Sequence, residues 1–199
     1  MGVHLWRIRS GNRIVEAVTA SFNREEWFKG LLEDDPSLVH AWNTAGWQAL
    51  HAAAHYEEPE TVRVLLRHGA DPNAVSRDAW RCTPLHMVAW PGLERPSHRG
   101  AEVIDLLVTA GAKVEVHASG LGDFTPLMLA VFAGNVFVAK KLIECGADVN
   151  AQARDGRTAL DRATGNAELQ ALLRQAMETG RKASPEAQPS ARGTGRIDK

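Results

Sequence analysis

The sequence predicts an all-α fold, a solenoid of stacked helix-turn-helix units joined by hairpin loops. Three segments of the 199-residue chain end in GlyAla followed by a short turn, at 69–73, 111–115 and 146–150. Apolar residues recur three, four and seven positions before each of these glycines, as on one face of a helix. A recurring unit of this kind buries its apolar face against its neighbours, so the copies should stack into one core.

The second helix of each unit is predicted to end at a glycine. Gly69, Gly111 and Gly146 can adopt the left-handed backbone conformation at little cost, because they lack a Cβ atom. Asp71 and Asp148 follow two residues later and have short acceptor side chains that suit a tight turn.

The first helix of each unit is predicted to start at a threonine. Thr83 and Thr125 each precede a proline, which is the arrangement of an N-cap residue followed by the first helical position. The helices that follow are short, and the segments at 49–54 and 84–89 contain small residues that let a second helix approach.

These motifs together resemble the ankyrin-repeat family, whose period is about 33 residues. ThrProLeuHis at 83–86 and GlyAlaAspValAsn at 146–150 carry the resemblance, which covers residues 12–177. It implies a solenoid of three full repeats with a capping repeat at each end. We place the opening cap, the full repeats and the closing cap at 12–42, 43–75, 76–117, 118–150 and 151–177.

The chain departs from the family pattern at several motif positions. Gln48 and Ala49 replace the ThrPro pair in the first full repeat, and Met128 replaces the motif histidine in the third. Lys113 and Glu115 replace aspartate and asparagine in the second turn. We expect these changes to alter local hydrogen bonds and to leave the fold intact.

Three segments fall outside the repeat pattern. Residues 1–11 form an N-terminal extension, and residues 91–100 form an insertion that is expected to be a surface loop. Residues 178–199 contain one aliphatic residue, Ile197, among mainly small and polar ones. This last segment is predicted to be a disordered tail, because it cannot bury enough apolar surface to fold.

The overall composition points to a monomer in the cytoplasm. The net charge of −1, with 23 basic and 24 acidic residues and no charge block, gives no indication of nucleic-acid binding. No apolar run is long enough for a membrane span, and no signal peptide is evident. The two cysteines lack the spacing of a metal or redox site, which fits a reducing compartment.

Catalytic and metal-binding motifs are absent from the sequence. His51 and His55 lie four positions apart on one helix face, but the glutamate of a HisGluxxHis zinc site is missing. His51 and His86 stand at the position of the motif histidine, whose side chain forms hydrogen bonds to neighbouring loops in the resembling family. The sequence contains no GlyxSerxGly elbow and no phosphate-binding loop. We therefore expect no enzyme activity, no bound metal and no cofactor.

Large aromatic residues mark the candidate binding face. We call the loops that precede the short helices fingers, and three aromatic residues fall within them, namely Trp47, Trp80 and Phe124. Three more fall at the far ends of the same helices, with cationic or histidine neighbours, giving the remaining candidates Tyr56, Trp90, Phe132, His55, Arg81 and Arg157. Equivalent positions line the concave binding face in the resembling family, and aromatic residues and arginine often dominate interface energy. The alternative is that individual rings pack against neighbouring fingers, and we expect Trp27 and Phe28 to have a core or cap role.

The function that follows is the binding of another protein through the concave aromatic face. One alternative is a dedicated inhibitor or immunity-type partner of a single enzyme. A remote alternative is a metal-dependent hydrolase built on the histidines.

Overall fold

The structure is a computed structural model that describes residues 24–90 and 98–183. This part of the chain forms nine α-helices and two single 3₁₀ turns, Pro36–His40 and Ser119–Leu121. In chain order the helices are α1 Arg24–Asp34, α2 Ala49–His55, α3 Pro59–Arg67, α4 Pro84–Ala89, α5 His98–Thr109, α6 Pro126–Phe132, α7 Val136–Glu144, α8 Ala159–Arg162 and α9 Ala167–Ala183.

The helices form two layers. The short helices α2, α4, α6 and α8 pack side by side as an inner layer, and α1, α3, α5, α7 and α9 pack in the same order as an outer layer. Within the described residues no strand occurs, only one isolated bridge between Ala118 and Phe124. The predicted all-α solenoid is therefore confirmed.

The core lies between the two layers. Inner and outer helices each contribute leucine or isoleucine side chains with at most 1% of their surface exposed, namely Leu50, Leu65, Leu85, Ile104, Leu107, Leu127, Leu142 and Leu169. Alanines of α2 are buried as completely, because small side chains let the helices approach closely. One continuous core runs along the stack and drives its assembly.

The outer helices end as the sequence predicts. Gly69, Gly111 and Gly146 have φ values of +85°, +93° and +92°. The alanine after each glycine donates its N–H back to a leucine carbonyl five residues earlier, with N···O distances of 3.0, 2.9 and 3.0 Å. This bond is the Schellman closure, which satisfies a carbonyl that the helix end would leave without a donor.

The turns after these glycines are bonded from repeat to repeat. The Asn73 side chain donates to the Gly111 carbonyl at 2.9 Å and accepts the Lys113 N–H at 2.8 Å. In the next turn Glu115 accepts the Asp148 N–H at 3.0 Å. Glu115 therefore supplies an inter-repeat bond at its departure from the family motif.

The insertion is shorter than the sequence suggests. We predicted a loop over residues 91–100, but α5 begins at His98, and 91–97 lie outside the described residues. Gly100 is buried, and an added Cβ atom would lie 2.8 Å from Glu57 Oε1 and 3.3 Å from Val138 Cγ2. Gly100, in the first turn of α5, is thus packed into the stack.

The two ends differ from the prediction in separate ways. The final helix continues to Ala183, past the start of the predicted tail at 178, and the disorder of that tail remains a prediction. Of the two helices predicted for the opening cap, the second is α1, whereas the first lies outside the described residues. Trp27 and Phe28 lie on α1, and their core role remains a prediction. The extension at 1–11 and the tail at 184–199 also lie outside the described residues.

Two glycines allow successive fingers to touch. A Cβ atom on Gly46 would lie 2.7 Å from the Asp78 backbone nitrogen, and one on Gly120 would lie within the contact radius of the Ala79 carbonyl oxygen. Because these neighbours are backbone atoms, they cannot move aside without shifting the finger.

We expect Gly120→Ala to lower the free energy of unfolding by about 2–3 kcal/mol, because its Cβ atom collides with backbone. Gly122→Ala is the matched control in the same finger, since its nearest heavy atom is Phe124 Cε1 at 4.0 Å. Gly122→Ala should lower the free energy of unfolding by only about 1 kcal/mol, because alanine is less favourable than glycine at this left-handed backbone position. Urea unfolding measures both, and equal losses would contradict the steric argument.

Candidate functional site

Four fingers precede the inner helices, each closed by a bond between its first and last residue. The N–H of the first residue donates to the carbonyl of the last in fingers 43–47, 76–82, 118–124 and 153–157, at 2.8, 2.7, 2.9 and 3.0 Å. The two middle fingers are two residues longer than the outer two. The fingers therefore differ in length between repeats, although the helices of all repeats pack in the same two layers.

Two buried histidines hold the fingers against the stack. His51 Nε2 lies 3.0 Å from the Ala74 carbonyl and 3.2 Å from the Cys82 carbonyl, and His86 Nε2 lies 3.1 Å from the Phe124 carbonyl. Each Nδ1 atom accepts a backbone N–H at the start of its own helix. Loss of hydration on burial lowers the pKa of both imidazoles to about 4, so both are neutral at pH 7.

The third repeat holds its neighbouring finger differently. Met128 stands at the position of His51 and His86, and its buried thioether has no hydrogen to donate. The Arg154 N–H donates to the Gly122 carbonyl at 2.9 Å, as the Arg77 N–H donates to the Gly46 carbonyl at 2.8 Å where His51 is present. What is added in the third repeat is a side-chain bond, from the Arg154 guanidinium to Asp123 at 3.1 Å.

The predicted site residues form one ring pair in each full repeat. Trp47 meets His55, Trp80 meets Trp90 and Phe124 meets Phe132, with centroid separations of 5.6, 5.3 and 6.4 Å. All three pairs have edge-to-face geometry, which is favourable for aromatic rings. His55 also contacts Tyr56, at 5.0 Å.

Trp47 is tied to the next finger by a hydrogen bond. Its indole Nε1–H donates to Asp78 Oδ2 at 2.6 Å, and the ring packs against the core. The same carboxylate accepts the Ser76 hydroxyl at 2.7 Å and the backbone N–H groups of Trp80 and Arg81. Trp47 therefore supports the finger that presents Trp80.

Phe124 has a comparable supporting position. Its ring lies between the edge of Phe132 and the Arg162 guanidinium, whose carbon is 3.9 Å from the ring centroid. Arg162 also bonds Asp155 at 2.7 Å. Sequence reasoning missed Asp78 and Arg162 as parts of the site, because neither departs from the usual polar composition of a finger or a capping helix.

Three aromatic residues on the inner side remain substantially exposed, one in each full repeat. The exposed fractions are 39% for Tyr56, 46% for Trp80 and 65% for Phe132. In the second finger buried Cys82, not Trp80, stands at the closing position held by Trp47 and Phe124. Trp80 lies two residues before the closing position and is accessible.

The two arginines of the predicted site are both exposed. Arg81 has a left-handed backbone with φ of +57°. The Nε atom of Arg157 lies 3.9 Å from Oδ2 of Asp155. His55 is half-buried between Trp47 and Tyr56, and burial lowers its pKa. The structure therefore brings the nine predicted residues onto the side formed by inner helices and fingers, at different depths.

The two cysteines and the possible metal ligands are the remaining reactive groups of the described residues. Burial raises the pKa of the Cys82 thiol to about 12 and also raises that of Cys145. Within the same ranges no three His, Cys, Asp or Glu side chains converge on a possible metal position. An open groove of about 540 Å³ between α7 and α9 has one titratable side chain, Asp148, which already accepts the Asn150 N–H.

Comparison with known proteins identifies the repeats. A family model described as ankyrin repeats (three copies) matches residues 16–116 and 93–182. The chain is 33% identical over 142 residues to human ankyrin repeat and SOCS box protein 16, and 30% identical over 143 residues to human neurogenic locus notch homolog protein 2. It is 40% identical over 98 residues to the fission yeast glycerophosphocholine phosphodiesterase gde1.

The matches cover much of this chain and little of the relatives. They span 68%, 72% and 47% of the chain, but 29%, 5% and 7% of the respective relatives. The shared part is thus a repeat segment within proteins of different kinds. In the described part of this chain, every helix falls short of the length or apolarity that a membrane crossing needs.

We expect Trp47→Phe to lower the free energy of unfolding by about 1–2 kcal/mol, because it removes a hydrogen bond to a carboxylate. Trp80→Phe is the matched control, since its indole N–H has no acceptor within the described residues and its change should stay within about 0.5 kcal/mol. Chemical denaturation compares them. A loss in Trp80→Phe as large as in Trp47→Phe would refute a supporting role specific to Trp47.

We expect the stability of the protein to fall as the pH drops from about 6.5 towards 4. In this window the unfolded histidines bind protons, whereas folded His51 and His86 stay neutral because burial lowers their pKa to about 4. Each contributes a slope of up to about 1.4 kcal/mol per pH unit. Urea unfolding at pH 7 and pH 5 measures the change.

His86→Gln isolates one of the two contributions. The variant should be less stable than wild type at pH 7, because the bond to the Phe124 carbonyl is weakened. It should also lose less stability on acidification, because one titrating group is gone. An unchanged slope would show that other groups cause the acid sensitivity.

Proposed function

Because the chain belongs to the ankyrin-repeat family, we propose that it binds another protein through the inner face of its solenoid. Ankyrin repeats are protein-interaction modules and are generally not catalytic. The observation that carries the proposal is the row of exposed aromatic side chains, Tyr56, Trp80 and Phe132, one in each full repeat. Large aromatic groups lose little conformational entropy on contact and bury much apolar surface, so they often dominate binding energy.

The proposed site has contact residues and supporting residues. Tyr56, Trp80 and Phe132 are exposed enough to touch a partner, and Arg81 and Arg157 lie beside them. Trp47 and Phe124 are the supporting residues. Their rings pack against the core, and their contacts with Asp78 and Phe132 hold the exposed groups in place. The remaining predicted residues, Trp90 and His55, form the half-buried floor between them.

Rigid presentation is the mechanism that the contacts support. Each finger is closed by a backbone bond and fixed to its neighbours by His51, His86 or Arg154. A preorganised surface loses little ordering entropy when it binds, so more of the contact energy appears as affinity. We propose a monomer without enzyme activity, in a reducing compartment such as the cytoplasm, where both free thiols persist.

The test compares two exposed regions of the same protein. Trp80→Ala with Phe132→Ala should weaken capture of the partner by about 10–30-fold, because each removes an interface anchor. Phe137→Ala is the matched control, since Phe137 is as exposed as Trp80, at 46%, but lies on the outer helix α7. Quantitative pull-down from the source cell measures capture, and circular dichroism shows that the variants remain folded.

Retention of the partner by the double variant would refute the inner face as the binding site. Loss of the partner with Phe137→Ala alone would move the site to the outer helices.

A further inference from the structure

One residue of the second finger occupies a conformation that suits glycine better. The residue before the closing position has positive φ in all four fingers, +82° at Gly46, +57° at Arg81, +62° at Asp123 and +75° at Gly156. Glycine adopts this region freely, whereas a side chain makes it unfavourable. Arg81 and Asp123 therefore hold strained positions at which the other fingers have glycine.

Asp78 holds the Arg81 backbone by accepting its N–H at 3.1 Å, but the side chains at the two strained positions differ in what they bond. The Asp123 carboxylate bonds the Arg154 guanidinium at 3.1 and 3.3 Å, which ties the last two fingers together. The Arg81 side chain is exposed, and within the described residues its guanidinium has no acceptor. A strained residue whose side chain makes no bond within the described residues indicates a role in binding.

The charges around Arg81 are unevenly satisfied. Four aspartates of the fingers and the capping helix already accept hydrogen bonds from neighbouring groups, namely Asp78, Asp123, Asp155 and Asp161. By contrast the Arg77 guanidinium lies over the Trp42 ring at 4.3 Å, and Arg157 reaches Asp155 only at 3.9 Å with 67% of its side chain exposed. Arg77, Arg81 and Arg157 therefore present exposed guanidinium groups beside aspartates whose oxygens are already hydrogen-bonded.

We propose, building on the proposed function, that the partner inserts an acidic segment, with an aspartate or glutamate carboxylate bound by Arg81 beside an apolar side chain packed on Trp80. Arginine suits this role because its planar guanidinium binds a carboxylate through two parallel hydrogen bonds. The adjacent indole excludes water and strengthens the ion pair. Arg77 and Arg157 flank the same face and favour further acidic residues on the segment.

Nucleic-acid phosphates could also bind guanidinium groups, but the surface favours a protein segment. Phosphate binding along a strand requires a continuous basic track, whereas this face alternates arginine with aspartate. The net charge of −1 gives no long-range attraction for a polyanion.

The test is selection from a random-peptide display library on wild type, Arg81→Gly, Arg81→Lys and Trp80→Ala. Wild type should select peptides that combine Asp or Glu with an aromatic or aliphatic residue. A synthetic peptide from that pool should bind Arg81→Gly about tenfold more weakly, which is about 1.4 kcal/mol. Arg81→Lys should retain an intermediate affinity, because it keeps the charge and loses the planar fork. Replacing the acidic residues of the peptide by Asn and Gln should cause the same loss on wild type and little loss on Arg81→Gly.

Thermal unfolding separates binding from folding in this design. In Arg81→Gly the relief of left-handed strain offsets the greater unfolded-state freedom of glycine, so the Tm should stay within about 2–4 °C of wild type. A larger fall in Tm would show that Arg81 has a structural role and would overturn the proposal.

The remaining outcomes distinguish the inference from the function on which it rests. Selected peptides that depend on Trp80 but are not enriched in acidic residues would overturn the acidic segment and leave the binding face intact. Peptides that bind Trp80→Ala as well as wild type, or a failure to select any, would count against both. A labelled single-stranded RNA that binds more tightly than the peptides and depends on Arg81 would assign the face to nucleic acid instead.

Discussion

The geometry of the inner face depends on two neutral, buried histidines. His51 and His86 are anchored at the start of their own helices through Nδ1 and reach the next finger through Nε2. Desolvation keeps the rings neutral, so one nitrogen accepts while the other donates. A protonated ring would have to donate at both nitrogens and would lose the bond at the helix start. The same burial that fixes the fingers thus makes them sensitive to acid.

Because each repeat contacts only its neighbours, a change in one repeat can be compensated next to it. Met128 removes the histidine tether in the third repeat, and the Arg154 guanidinium of the following finger bonds Asp123 there. Glu115 replaces an asparagine and still accepts a bond from the next turn. Such local replacement is possible since the stability of a solenoid is nearly a sum of repeat and nearest-neighbour terms.

The place of an aromatic residue within its finger decides whether a partner can reach it. In the first and third fingers Trp47 and Phe124 are the closing residues and pack against the core. The second finger closes at buried Cys82, and Trp80, two residues earlier, stays exposed. Asp78 then links the first and second fingers, since it bonds the Trp47 indole and the backbone of Trp80 and Arg81. The exposed and supporting rings are therefore parts of one bonded unit.

The sequence was enough to predict the glycine ends of α3, α5 and α7, the turns after them, the histidine motif and the side of the solenoid on which the aromatic residues lie. These features follow from each residue's own backbone preference and from a spacing that recurs in register. It did not determine where α5 begins, how deeply each ring lies, or that Asp78 and Arg162 belong to the site. Only the tertiary structure decided those points, because they depend on contacts such as the Trp47–Asp78 bond across 31 residues, whose geometry is set by how neighbouring fingers pack.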